Sequence, residues 1–200
     1  VNNEGLIFYW NGSDWVTVGG QARDVGIGAN GTVWIIGWDA VPGGFSIHRW
    51  NGSYWEKKHG GAIRLDVDAN GNAWCVNDQG LIFYWNGSDW VTVGGQARDI
   101  SVGPSGQVWI VGWTAVGQNY TVHRWTGSYW ANETGGLVNI SVSRGYIWGI
   151  NSAGEIFRRV TLADAVFVSG DVVSLRCLGT AGGPRWLDGR TKDGTVGLAP

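Results

Sequence analysis

Residues 5 to 24, GLIFYWNGSDWVTVGGQARD, return letter for letter at 80 to 99, and a looser match runs on to Trp50 and Trp125, so the chain carries a tandem unit of 75 residues. Inside that unit lies a half-repeat: W-N-G-S-D-W (Trp10 to Trp15), W-N-G-S-Y-W (Trp50 to Trp55), W-N-G-S-D-W (Trp85 to Trp90) and W-T-G-S-Y-W (Trp125 to Trp130), spaced by 35 to 40 residues. A further tryptophan, Trp34, Trp74, Trp109 and Trp148, follows a glycine-containing turn in each copy: A-N-G-T-V-W, A-N-G-N-A-W, P-S-G-Q-V-W and S-R-G-Y-I-W. Repeats of this length build solenoids or propellers, in which each unit buries its apolar face only against its neighbours.

Strands rather than helices fill the repeat. G-L-I-F-Y-W, T-V-W-I-I-G and F-S-I-H-R-W are runs of β-branched and aromatic residues, four to six long, bounded by N-G, G-G or D-x-G turns. The 35 glycines, 15 tryptophans and absence of methionine suit many short strands joined by tight turns. Asn11-Gly12, Asn51-Gly52 and Asn86-Gly87 are expected as type I′ hairpin tips, which need two positive-φ residues. A four-stranded antiparallel unit repeated every 40 or so residues is a propeller blade.

The order Trp130, Gly135-Gly136, Ile140-Ser141-Val142, Gly145-Tyr146-Ile147-Trp148-Gly149, Gly154-Glu155-Ile156-Phe157-Arg158 resembles the tectonin repeat, and that resemblance covers residues 1 to 159 four times over. It implies an all-β fold, a β-propeller of four recognisable blades over 1 to 159, and a lectin recognising microbial or cell-surface glycans. Residues 160 to 200 depart from the pattern, having D-V-V-S-L-R-C-L and R-W-L but no tryptophan pair. They are expected either as a divergent fifth blade closed by the N-terminal G-L-I-F-Y-W strand, or as the start of a separate β module. Family members often have six blades, so the ring could extend further. Unpaired strand edges at the chain ends would also allow pairing into a homo-oligomer.

Charge and composition narrow the partners. A net charge of −2 gives no long-range pull toward phosphate backbones, so nucleic acid is not expected. No apolar run reaches the length of a membrane span. The opening Val1-Asn2-Asn3-Glu4 is not a leader, which leaves a signal peptide removed or never present; a secreted or cell-surface location is expected, with cytoplasmic the alternative. Cys75 and Cys177 lie in no metal-ligand spacing and are expected as buried free thiols, and no cofactor is expected. Sequons begin at Asn11, Asn30, Asn51, Asn86, Asn119, Asn132 and Asn139, four of which are already explained as Asn-Gly turns.

The repeat also sorts core from site. Ile7, Ile47, Ile82, Val122 and Ile156 form one always-aliphatic column, the mark of a buried sheet position. His48-Arg49 and His123-Arg124 occur only in alternate copies, and there the stretch from the marker tryptophan is five residues longer (Trp34 to Ile47 and Trp109 to Val122, against Trp74 to Ile82). The inserted loops carry Trp38-Asp39 and Trp113. A sugar site needs a flat aromatic face for the C–H side of the ring and polar groups for the hydroxyls. Two equivalent sites are therefore expected: Trp38, Asp39, His48, Arg49 and Tyr54, and Trp113, His123, Arg124 and Tyr129. The remaining tryptophans are read as blade packing. No paired carboxylates or catalytic motif is evident, so an enzyme is not expected, and a structural or protein-interaction propeller in an extracellular assembly is the alternative function.

Overall fold

The computed structural model describes residues 1 to 160 and two short strands beyond them, and the chain divides into units Val1–Ala165 and Val166–Pro200. The first unit holds strands β1 (Leu6–Trp10), β2 (Trp15–Ile27), β3 (Val33–Val41), β4 (Gly44–Trp50), β5 (Trp55–Ala62), β6 (Arg64–Val67), β7 (Ala73–Val76), β8 (Leu81–Trp85), β9 (Trp90–Val102), β10 (Val108–Val116), β11 (Asn119–Trp125), β12 (Trp130–Leu137), β13 (Asn139–Ser143), β14 (Tyr146–Ile150) and β15 (Ile156–Val160). In the second unit β16 (Arg176–Cys177) pairs antiparallel with β17 (Arg185–Trp186). The rest of the expectation for residues 160 to 200 lies outside the described residues.

All described pairings are antiparallel between sequence neighbours, in sheets β1-β2-β3-β4-β5, β6 through β12 and β13-β14-β15. The repeat explains why two units can share one sheet. The N-terminal part of β2 pairs with β1 and its C-terminal part with β3, and β9 bridges β8 and β10 in the same way. The hinge is a two-residue bulge: the register jumps from Leu6↔Gln21 to Ile7↔Val18, leaving Gly19 and Gly20 as a bulge, and the same jump recurs at residues 59–60 (His-Gly), 94–95 (Gly-Gly) and 134–135 (Thr-Gly). Gly20 takes a φ of +101°, and a Cβ there would stand 3.1 Å from the Trp55 indole, so glycine is required both for the turn of the backbone and for the neighbour it admits.

Each four-stranded unit lays its sheet against the next, and the core lies in layers between units. One layer packs Trp34, Ile36 and Ile47 against Leu65, Cys75 and Trp85; the next packs Trp74, Val76 and Ile82 against Ile100, Val108 and Ile110. The aliphatic column is buried at Ile7, Ile47, Ile82 and Val122, whereas Ile156 is 68% exposed, as is Trp148 at 44% although Trp34, Trp74 and Trp109 are buried. Cys75 is a buried free thiol whose ionisation burial pushes up.

The innermost strands of successive units are joined by carboxylates instead of a ladder. Asp24 accepts the Leu65 N–H at 3.1 Å, Asp66 accepts the Val102 N–H at 2.8 Å and the Ser101 hydroxyl at 2.9 Å, and Asp99 accepts the Ile140 N–H at 2.9 Å and the Asn139 amide at 2.8 Å. These strands border a polar space of about 500 Å³.

Two sequence expectations change. The Asn-Gly tips are not type I′ turns: among the described residues only glycines have a positive φ, and the connection is the four-residue stretch between the paired Trp10 and Trp15. Asn11 instead accepts the Ser13 and Asp14 N–H groups on its side chain, both at 2.9 Å, an Asx turn that spares its backbone the left-handed conformation. Nor are the five extra residues a loop. They lengthen β3–β4 and β10–β11 into bulged hairpins, with residues 37–39 set against Ser46 alone.

Candidate functional site

Clefts open where the bulges at residues 19–20, 59–60 and 134–135 face neighbouring strands. In the first, of about 290 Å³, Gly20 and Gln21 face Ile35, Trp38, Asp39 and His48 across Trp55. In the second, of about 350 Å³, His59, Gly60 and Gly61 face Cys75, Asn77, Phe83 and Trp90. In a third, of about 340 Å³, Gly135 and Gly136 face Gly149, Phe157, Arg158 and Arg159.

The second tryptophan of the last three W-x-G-S-x-W motifs bonds one unit to the bulge of the preceding one, and Trp55 and Trp90 line the first two clefts. Trp55 Nε1–H donates to the Gly19 carbonyl at 2.7 Å, Trp90 Nε1–H to His59 at 2.8 Å and Trp130 Nε1–H to Gly94 at 2.6 Å. Each indole is thereby fixed across the boundary with its N–H satisfied, which a half-buried tryptophan needs. Sequence reasoning assigned these tryptophans to packing; it missed that each bonds back to the bulge of the preceding copy, which the repeat order alone does not show. In the second cleft His59 Nε2 lies 2.8 Å from Asp89, whose carboxyl is held below its ordinary value by the Trp90 N–H first and His59 second.

The expected site residues divide. Trp38, Asp39 and His48 share the first cleft. His48 Nε2 stands 3.0 Å from Ser46 Oγ, and burial, with Lys57 adding to it, keeps the ring's pKa below the usual histidine value. His123 repeats this against Thr121 at 2.9 Å, lowered by burial. Arg49 and Arg124, next in their strands, point to the opposite face of the sheet: Arg49 lies 5.9 Å from the Trp34 ring and Arg124 pairs with Glu133 at 3.3 Å. Tyr54 and Tyr129, 62% and 63% exposed, sit on the turns at the far ends of β4 and β11 from the tryptophan hairpins, about 20 Å away at the rise of a strand.

Trp38 and Trp113 are 39% and 38% exposed, and part of each ring is already covered. A Cβ on Gly5 would stand 2.6 Å from Trp38 Cζ3, and one on Gly80 the same from Trp113, so each indole lies against the turn of the preceding unit. The guanidinium of Arg23 stacks 4.4 Å from Trp38, and that of Arg98 4.4 Å from Trp113. The hairpin tips reach the other way: the Gly43 carbonyl accepts the Asp78 N–H at 3.0 Å, and Asn119 Oδ1 accepts the Ser152 N–H at 2.7 Å. The alternate-unit extension thus clamps both neighbours, a packing duty its sequence did not suggest.

Stacked antiparallel units joined along their inner strands define a β-propeller protein. Residues 61–172 match the Tectonin domain, more than half of the chain, and the chain belongs to that family. Among solved structures it resembles a catalytically inactive virginiamycin B lyase from Staphylococcus aureus with quinupristin, at 14% identity and TM-score 0.50, over 98% of this chain and 78% of that one. It also resembles YCF48 bound to D1 peptide, at 20% identity and TM-score 0.46, over 74% of this chain; the match spans 53% of the YCF48 chain. A protein from Lactobacillus plantarum aligns at 10% identity and TM-score 0.43, over 94% of this chain and 72% of that one. No curated protein matches the chain.

Proposed function

We propose that this protein is a multivalent carbohydrate-binding propeller whose sites are the clefts between successive units. The observation that carries the reading is recurrence: the same bulge faces the same strands at several boundaries, at 290 to 350 Å³, the lower end of small-ligand pockets. In the first two, a fixed indole supplies an apolar face beside backbone carbonyls and polar side chains, the pairing a sugar ring requires. Membership of the tectonin family supports the reading. Shallow sites gain strength by repetition on one surface.

The protein is read as a binder, not an enzyme. What recurs in the clefts is Trp and Gly-Gly; the position held by His59 is Gly19, Gly94 and Thr134 in the other copies, so no titratable group is kept there. Residues 1 to 159 are read as four blades. Glycan-array binding tests the function: saturable binding to a set of related glycans is expected, with loss on Trp90→Ala. No binding to any glycan or bacterial envelope would remove the proposal.

A second reading, a protein-interaction propeller, draws on the exposed Trp148, Ile156 and Phe157 at one end of the first unit. Sedimentation at several concentrations separates the two: concentration-dependent assembly without sugar affinity favours the second.

A further inference from the structure

Two arginines outside the expected site share one close arrangement; Arg158, the other arginine over two rings, stands farther off, 5.4 Å from Tyr146 and 5.7 Å from Trp148. The Arg23 guanidinium lies over two rings, 4.4 Å from the Trp38 centroid and 3.8 Å from that of Phe45. Seventy-five residues on, Arg98 lies 4.4 Å from Trp113 and 3.9 Å from Tyr120. Neither guanidinium has a hydrogen-bond or ion-pair partner among the described residues, although both arginines are exposed. Other arginines are spent differently: Arg64 pairs with Asp99 at 3.6 Å, and Arg124 and Arg159 both pair with Glu133. The carboxylate beside Arg23 is also committed, since Asp24 accepts the Val25 and Leu65 N–H groups.

We propose that Arg23 and Arg98 are two equivalent oxyanion-binding residues, each offering an immobilised guanidinium fork to a carboxylate, sulfate or phosphate group of an acidic ligand. This rests on the carbohydrate-binding reading for the ligand's scaffold and adds its charge. A guanidinium carries five N–H donors in a planar fork that matches two oxygens of one anion. Its usual handicap is the freedom of a long side chain, which must be given up on binding. Here two rings, one on each hairpin strand, hold the plane in advance and leave its edges to solvent. The two copies differ in one charge: Asp39 follows Trp38, whereas Thr114 follows Trp113. The Arg98 site is therefore the stronger for anions.

The test uses three immobilised polymers of one backbone, dextran, carboxymethyl-dextran and dextran sulfate, with polyphosphate as a polyanion lacking sugar, at about 0.15 M salt. The intact protein should be retained on at least one charged dextran at least about tenfold more strongly than on dextran itself. Retention on carboxymethyl-dextran alone assigns a carboxylate, on dextran sulfate alone a sulfate or phosphate, and on both a general oxyanion site. Arg98→Lys keeps the charge and loses the fork, and should weaken retention about tenfold, more than Arg23→Lys does. The double variant Arg23→Gln with Arg98→Gln should abolish the preference while melting within a few degrees of the parent. Equal retention on all three dextrans, or retention on charged dextran that is unchanged in Arg98→Lys or in the double variant, overturns the proposal. Neutral-glycan binding on an array without any anion preference would overturn this proposal and leave the carbohydrate reading standing. Equal retention on polyphosphate that depends on Arg98 would uphold the oxyanion site and remove the sugar scaffold.

Discussion

Asp99 shows how a single side chain can set both geometry and pH response. It is buried between the inner strands, and burial pushes its carboxyl up to about 6 against the Ile140 N–H first, then the Arg64 guanidinium and the Ile100 N–H. The ordinary value is 3.8, so between about pH 4 and 6 the folded chain holds a proton that the unfolded chain has released. Stability therefore declines as pH rises through that window and levels off above it, by about 2 to 3 kcal/mol for this group. His48 and His123 act in the opposite sense, since a lowered folded pKa costs stability as pH falls below the usual histidine value. Asp99→Asn keeps a carbonyl acceptor for the Ile140 N–H and removes the titration. Denaturant midpoints from pH 4 to 7 should fall less steeply with pH in the variant; an unchanged slope would mean that Asp99 is ionised throughout. Gly80 offers a second test at this scale. Its φ is +80° and a Cβ would meet the Trp113 ring, so Gly80→Ala should cost about 2 kcal/mol or more by denaturant titration, while Gly87→Ala, with open space around it, should cost less.

At the scale of the element, the four-residue turn and the glycine bulge carry the repeat. Asn86 accepts the Ser88 and Asp89 N–H groups at 2.9 Å, and in the fourth copy Thr126 Oγ1 takes over, accepting the Tyr129 N–H at 3.1 Å. Asn86→Ala should thus cost about 1 kcal/mol by thermal or denaturant unfolding, and Asn86→Thr about half of that or less. Equal losses would mean that the side-chain acceptor is not what shapes the turn. These elements also show which parts of the fold were legible. The strands and their order followed from the runs of β-branched and aromatic residues, because a side-chain period of two is written directly in the sequence. The turn type was misread because Asn-Gly fits both a type I′ turn and an Asx turn, and only the number of residues between paired strands separates them. The bulged hairpins were misread as loops because Gly37-Trp38-Asp39 breaks the alternation.

For the whole molecule, boundaries between units matter more than any unit alone. Trp38, Asp39 and His48 were legible as a group because they sit on one hairpin, but their counterparts Gly20, Gln21 and Trp55 include residues from the preceding unit, which linear spacing does not bring together. Arg49 and Tyr54 were drawn in by proximity in sequence, although alternation sends the first to the other face and strand length sends the second to the other end. Arg23 and Arg98 were passed over because their ring partners come from neighbouring strands. On the proposed function, a sugar acts at these same boundaries. The Trp55 and Trp90 indoles line the first two clefts, and their N–H groups are bonded to carbonyls across the boundary, so a ligand there would perturb them. The direct measurement is a titration of the isotope-labelled protein, followed by the indole N–H resonances, with a glycan selected on an array. Saturable shifts are expected at Trp55 and Trp90, with the buried Trp34 unmoved; shifts confined to the exposed Trp10 and Trp15, or none at saturating glycan, would contradict this reading.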